Sequence, residues 1–176
     1  AKIDPVPVVS TKRHTSAAQI AEEEPYDGLL LLGDNVYPAG DPSKLPDTVF
    51  EPFADVLDGG ADLMAILGNH DVKLGRGDEQ MEVLGMPGRY WAEEHGDVLI
   101  VGLDSNEIDD PVQLQFLDDT LASSDATWRI VAVHHPPYSA GYQGSSVEVR
   151  EALAPFVERY GVQLVLSGHD HDYQRS

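Results

Sequence analysis

Leu29-Leu30-Leu31-Leu32-Gly33-Asp34-Asn35-Val36-Tyr37 sets the pattern of this chain: an apolar run, a glycine, then a carboxylate, an amide and a phenol. Three later apolar runs also end in polar clusters, two of them through a glycine. Residues 63–67 lead into Gly68-Asn69-His70-Asp71, residues 129–133 into His134-His135, and residues 164–166 into Gly168-His169-Asp170-His171. Each run has the length and composition of a buried strand. Apolar residues fill both alternating sets of positions, as when both faces of a sheet are covered. Metal-binding side chains thus leave the same end of several strands, where an open sheet has its crevice. The pattern points to a site for two metal ions and to hydrolysis of phosphate esters.

Working outward, the segments between these runs alternate in type. Residues 6–9 read as a short strand, and Ser16 with Gln19 forms a capping pair opening a helix towards Glu24. Residues 48–57 predict a second helix, ending before Gly59-Gly60. Residues 75–88 carry glycine and charge and read as a long loop with one helical turn near Met81. Residues 90–94 and 98–103 predict a hairpin across His95-Gly96-Asp97. Asp110-Pro111-Val112-Gln113 supplies an N-cap, a proline at the first helical position and an N3 glutamine. Ser145 and Glu148 open a last helix towards Tyr160. The fold class is α/β, with mixed β-sheets in layers flanked by helices, in one domain over residues 1–176.

Composition narrows the function. The 31 acidic and 11 basic residues give a net charge of −20, and no basic stripe is available for a nucleic-acid backbone. The excess reads as a solvated acidic surface, so nucleic acid is not an expected partner. Cysteine is absent, which removes thiolate metal sites, thiol nucleophiles and disulfides. No apolar run reaches membrane-spanning length and the N-terminus carries no signal-peptide pattern, so the compartment stays open.

Within the clusters, Asp34 has two oxygens with which to bridge two cations, although a turn cap is its bland reading. Asn69 offers a neutral oxygen ligand, and the neighbouring His70 could protonate a leaving group. His134 is taken as the ligand of its pair. Alternation would turn His135 to the opposite side, as a structural residue. His169 and His171, spaced i and i+2, would face one way in an extended segment, each serving a different ion. His14 and His95 read as surface residues, and Met64, Met81, Met86, Trp91 and Trp128 as core packing. The stretch 136–144, with Tyr138, Ser139 and Tyr142, borders the expected pocket.

In this order the clusters resemble the calcineurin-like metallophosphoesterases, and most of all their purple acid phosphatase branch. Gly33-Asp34-Asn35-x-Tyr37, Gly68-Asn69-His70-Asp71, Val131-x-x-His134 and Gly168-His169-x-His171 match four of that branch's five blocks. The resemblance implies that Asp34 bridges two ions, that Tyr37 and His171 hold the first, and that Asn69, His134 and His169 hold the second. It implies iron paired with iron, zinc or manganese, with His70 as general acid or phosphoryl-binding group. It also implies a metal-activated hydroxide cleaving small phosphate monoesters, and a secreted or periplasmic setting. The alternatives it leaves are a phosphodiesterase or nucleotidase, or a degenerate metal-binding relative without turnover. Oligomeric state stays open.

One block has no counterpart. Where the family carries Gly-Asp-x-Gly after its first strand, this chain reads Val8-Val9-Ser10-Thr11, and it stops five residues after His171. The expectation is a sequence incomplete near residues 10–11 and at the C-terminus. The alternative is a first site left with Asp34, Tyr37 and His171.

Overall fold

The computed structural model describes residues 26–175. The expected strand at 6–9, the helix at 16–24, the strand exit at residues 8–10 and His14 lie outside the described residues. Among the described residues, two sheets form the scaffold. One pairs β1 (Gly28–Leu31) with β2 (Asp62–Ala65) in parallel. The other runs in the order β3 (Trp91–His95), β4 (Val98–Gly102), β5 (Trp128–Val133), β6 (Leu164–Ser167). Its β3–β4 pair is the hairpin and antiparallel, whereas β4–β5 and β5–β6 are parallel. The mixed α/β architecture expected from the sequence is present.

Parallel register decides where the polar clusters emerge. Leu31 pairs with Ala65, and the ladder continues as the Ile66 amide donates to Leu31 O at 3.1 Å. Val133 pairs with Ser167, and the Gly168 amide then donates to His134 O at 3.1 Å. Asp34 and Asn69 therefore leave one sheet, and His134 and His169 leave the other, at carboxyl ends of parallel strands.

Trp91 joins the two sheets. Its indole N–H donates to Ala65 O at 2.7 Å, and its ring packs in a core with Val36, Leu45, Ile66, Leu67 and Met81. A second core lies beneath α3 (Pro111–Ser123) and α4 (Val147–Tyr160). Leu117 and Leu121 of α3, four residues apart, and Val149 and Leu153 of α4 bury one stripe of each helix. Each buried leucine contributes about 1.5–3 kcal/mol.

Several local expectations are corrected. The helix at 48–57 is broken into a π-helical turn, Pro46–Phe50, and the short α1, Ala54–Asp58. Pro52 lies between them and has no N–H to continue the ladder. The loop at 75–88 contains α2, Gly77–Val83, seven residues long, because Gln80 and Met81 bury its inner face. Ser146, not Ser145, caps α4, accepting from the Val149 amide. Asp110 caps α3 as expected. Gln113, however, turns inward: its Oε1 accepts the Asp104 amide at 2.7 Å and its Nε2 donates to Asp104 O and Glu107 O. Trp128 is 55% exposed at the start of β5 and is not core. His95 ends β3 half-buried beside Glu93 rather than in the turn.

Candidate metal centre

Two groups of donors meet at the strand ends, and Asp34 belongs to both. In the inner group, Asn69 Oδ1 lies 3.2 Å from His134 Nε2 and 3.1 Å from His169 Nδ1. The two imidazole nitrogens are 3.2 Å apart, and Asp34 Oδ1 lies 3.5 Å from His134 Nε2. Ligands around one cation with bonds of about 2.1 Å stand about 3.0–3.4 Å from each other, so these spacings fit a shared ion. In the outer group, Tyr37 OH donates to Asp34 Oδ2 at 3.0 Å and lies 3.1 Å from His171 Nε2. The six residues singled out from the sequence lie together, in two neighbouring groups that meet at Asp34.

The route to that division differs from the expected one. His169 is not extended: its φ of 68° is left-handed, and the Asp170 amide turns back to Gly168 O at 2.8 Å. That turn, instead of strand alternation, sends His169 inward and His171 outward. Asp34 is also left-handed, at φ 55°. Non-glycine residues held in this region concentrate at functional sites, where the surroundings enforce the conformation.

His70 sits at the rim. Its backbone N–H donates to Asp34 Oδ1 at 2.8 Å, and its ring lies 4.5 Å from that of Tyr37. Nδ1 is 2.7 Å from Pro38 O, so it carries the proton it donates there. Lys73 Nζ lies beside the ring, 2.9 Å from Nδ1 and 3.2 Å from Nε2.

Charge arranges the protonation states. Burial alone would raise the Asp34 carboxyl, but hydrogen bonds from His134, the His70 amide and Tyr37 outweigh it and hold the group well below its usual range. Burial works against the imidazolium of His134, yet the Asp34 carboxylate and the Leu32 carbonyl, 2.8 Å from Nδ1, raise its pKa overall. Burial, then the bond and charge of Asp34, push the Tyr37 phenol up to about 12. A phenolate there requires a cation. His135 is pushed down to about 4 by burial and the charges of His134 and His169, and His169 is lowered for similar reasons.

Two glycines keep the groups close. Gly33 has φ +85°, and a Cβ on it would stand 2.6 Å from His134 Nδ1. A Cβ on Gly68 would strike Asp34 Oδ1 and stand 2.8 Å from His134 Cε1.

Four residues escaped the sequence reading. Asp71, fully buried, accepts amides from both ligand loops, and its place as fourth member of Gly-Asn-His-Asp was the available signal. Lys73 lies two residues further on, marked by nothing in the sequence. Ser105 follows β4 in the turn Ser105–Glu107, at a fifth strand exit of the same type, and bonds His135. His135 does not point away: one ring nitrogen each of His134, His135 and His169 lies within 4.8 Å of the others. β5 ends at Val133, so strand alternation does not govern the two histidines beyond it.

Comparison with known proteins gives a consistent family. Residues 12–173 match calcineurin-like phosphoesterase. The chain is 43% identical over 61 residues to purple acid phosphatase 17 of Arabidopsis thaliana, covering 35% of this chain and 18% of that protein. It is 36% identical over 62 residues to tartrate-resistant acid phosphatase type 5 of Homo sapiens, covering 35% of this chain and 19% of that protein. These alignments span less than a fifth of either relative. Among solved structures, purple acid phosphatase PPD1 from yellow lupin seeds (Lupinus luteus) aligns with a TM-score of 0.69 at 18% identity, over 88% of this chain and 32% of that one. At that identity the likeness concerns the fold.

Proposed function

Since the chain belongs to the calcineurin-like phosphoesterase family, we propose that it hydrolyses small phosphate monoesters at a pair of cations shared through Asp34. The observation that supports this reading is that Asn69, His134 and His169 cluster together, with His134 Nε2 3.5 Å from Asp34 Oδ1, while Tyr37 engages Asp34 Oδ2. Oxygen and nitrogen donors without sulfur suit iron, zinc or manganese, and a phenolate favours iron in the outer group. Bound there, the ions supply a lowered water pKa and positive charge against the phosphoryl oxygens.

The residues have separate duties. Asp34, ionised and held from the His70 amide, fixes the separation of the two groups. His134, anchored through Nδ1 to Leu32 O, presents Nε2 to the inner group. His70, committed to Pro38 O through Nδ1, gives a proton to the leaving oxygen or a hydrogen bond to the phosphoryl group from Nε2 when the ring is protonated on both nitrogens. Lys73 adds positive charge at the same rim. The surplus of carboxylates elsewhere disfavours a polynucleotide and leaves a small phosphorylated substrate.

The test compares p-nitrophenyl phosphate with bis-p-nitrophenyl phosphate on metal-reconstituted protein. The monoester should turn over faster. A diester preferred by more than about tenfold, about 1.4 kcal/mol in barrier, would reassign the protein as a diesterase. One observation favours a second reading, a metal binder without turnover. Among the described residues, the outer group has only Asp34, Tyr37 and His171 as protein donors. A single bound ion and no hydrolysis of either ester would establish it.

A further inference from the structure

We propose that His135 is a third imidazole ligand of the inner cation, acting through Nε2; the inference rests on the cation site proposed above. His135 lies outside the four sequence blocks, and three observations bring it in. Its ring centroid is 4.7 Å from that of His169 and 5.1 Å from that of His134. A ring nitrogen of each of the three lies within 4.8 Å of the others. That spacing exceeds the roughly 3.0–3.4 Å of ligands already drawn onto one ion, so the His135 ring has to move about 1 Å towards the other two for a cation to engage all three.

The third observation is how the ring is held. Ser105 Oγ lies 2.9 Å from His135 Nδ1 and accepts the backbone N–H of the same residue at 3.0 Å. One side chain thus grips the imidazole and its main chain and leaves Nε2 as the ring nitrogen without a hydrogen bond among the described residues. His134 is built alike, with Nδ1 on Leu32 O and Nε2 turned to the ligands. Histidine ligands characteristically have one nitrogen fixed by a protein oxygen and the other presented to the metal. Ser105 is itself buried, and Asn106 beside it donates to Gly68 O at 3.4 Å, tying this prop to the Asn69 loop.

A third imidazole makes the inner group nitrogen-rich and selects an ion of zinc type over manganese or magnesium, which favour oxygen. The experiment is a Zn²⁺ titration of metal-free protein labelled with ¹⁵N-histidine, followed by imidazole nitrogen shifts assigned through the backbone. Nε2 of His135 should move to a metal-bound position in step with the nitrogens of His134 and His169. Zn²⁺ should bind at least about tenfold more weakly to His135→Gln, with Mn²⁺ affinity changing less. If His134 and His169 move while His135 keeps the signature of a free neutral imidazole, the inference is overturned and the cation site stands. If none of the three moves, the cation site fails with it. The wild-type titration decides the matter even where the variant does not fold.

Discussion

Asp71 Oδ2 accepts both the backbone N–H of Asn35, at 3.1 Å, and its side-chain Nδ2, at 3.2 Å, joining the loop after β1 to the loop after β2. The same carboxylate takes the Val36 amide at 3.1 Å and the Gly68 amide at 2.8 Å, and it is wholly buried. Asp34 and Asn69 ride on these two loops, so their spacing depends on Asp71. Asp71→Asn has the same shape but turns an NH₂ towards N–H donors. Each donor left without a partner costs about 1–3 kcal/mol. Denaturant unfolding of the metal-free variant should show a loss of that order, and metal affinity should fall with it. Unchanged affinity would mean the loops hold their spacing without this joint.

Gly68 tests the same spacing from the inside. Gly68→Ala places a methyl against Asp34 Oδ1 and His134 Cε1, pushing apart two donors of the inner group. The expected result is loss of the inner ion with stability reduced by about 1–3 kcal/mol from overpacking. Full metal retention would contradict the close approach of the strand ends.

Much of this was legible from residues whose effect is local. Asp110-Pro111 starts α3 because a cap and a proline act within one turn. The four polar clusters were visible because each closes an apolar run, three of them through a glycine where the chain turns from sheet to crevice. Other features depended on partners distant in sequence. Nothing near Gln80 announces that its amide meets Asn35, so α2 read as loop. Gln113 looked like a capping residue, and only the fold sets Asp104 and Glu107 against it. The orientation of His135 was not legible because the alternation rule for strands does not extend past the end of β5.

The pH response of the metal-free protein follows from His134. Its pKa is raised in the folded state, beside Asp34. Its stabilising contribution is complete below the unfolded value of about 6.5 and is lost as pH rises through the folded value. His134→Gln should therefore lower Tm more at about pH 6 than at about pH 9. Equal losses at the two pH values would show that the Asp34–His134 pair carries no proton-linked stability. Metal affinity responds in the opposite sense, rising with pH as the competing proton leaves.

The loop bearing Tyr138 and Tyr142 is pinned to the double-histidine turn. Ser139 Oγ donates to Asp170 Oδ2, the Gln143 amide donates to Asp170 Oδ1 at 2.9 Å, and Gln174 Oε1 accepts the Ala140 amide at 2.7 Å. Asp170→Ala removes two bonds to a charged acceptor, each worth about 1.5–3 kcal/mol. If the tyrosine loop borders the substrate, KM should rise roughly tenfold and kcat should fall less, with Asp170→Asn retaining part of the effect. An unchanged KM would separate that loop from substrate binding.

The central claim is that Asp34 stands between two cations, and anomalous scattering from crystals soaked in Zn²⁺ or Mn²⁺ tests it most directly. Two peaks are expected, one among Asp34, Asn69, His134 and His169, the other among Asp34, Tyr37 and His171. Peaks elsewhere, with Asp34 touching neither, would contradict the account.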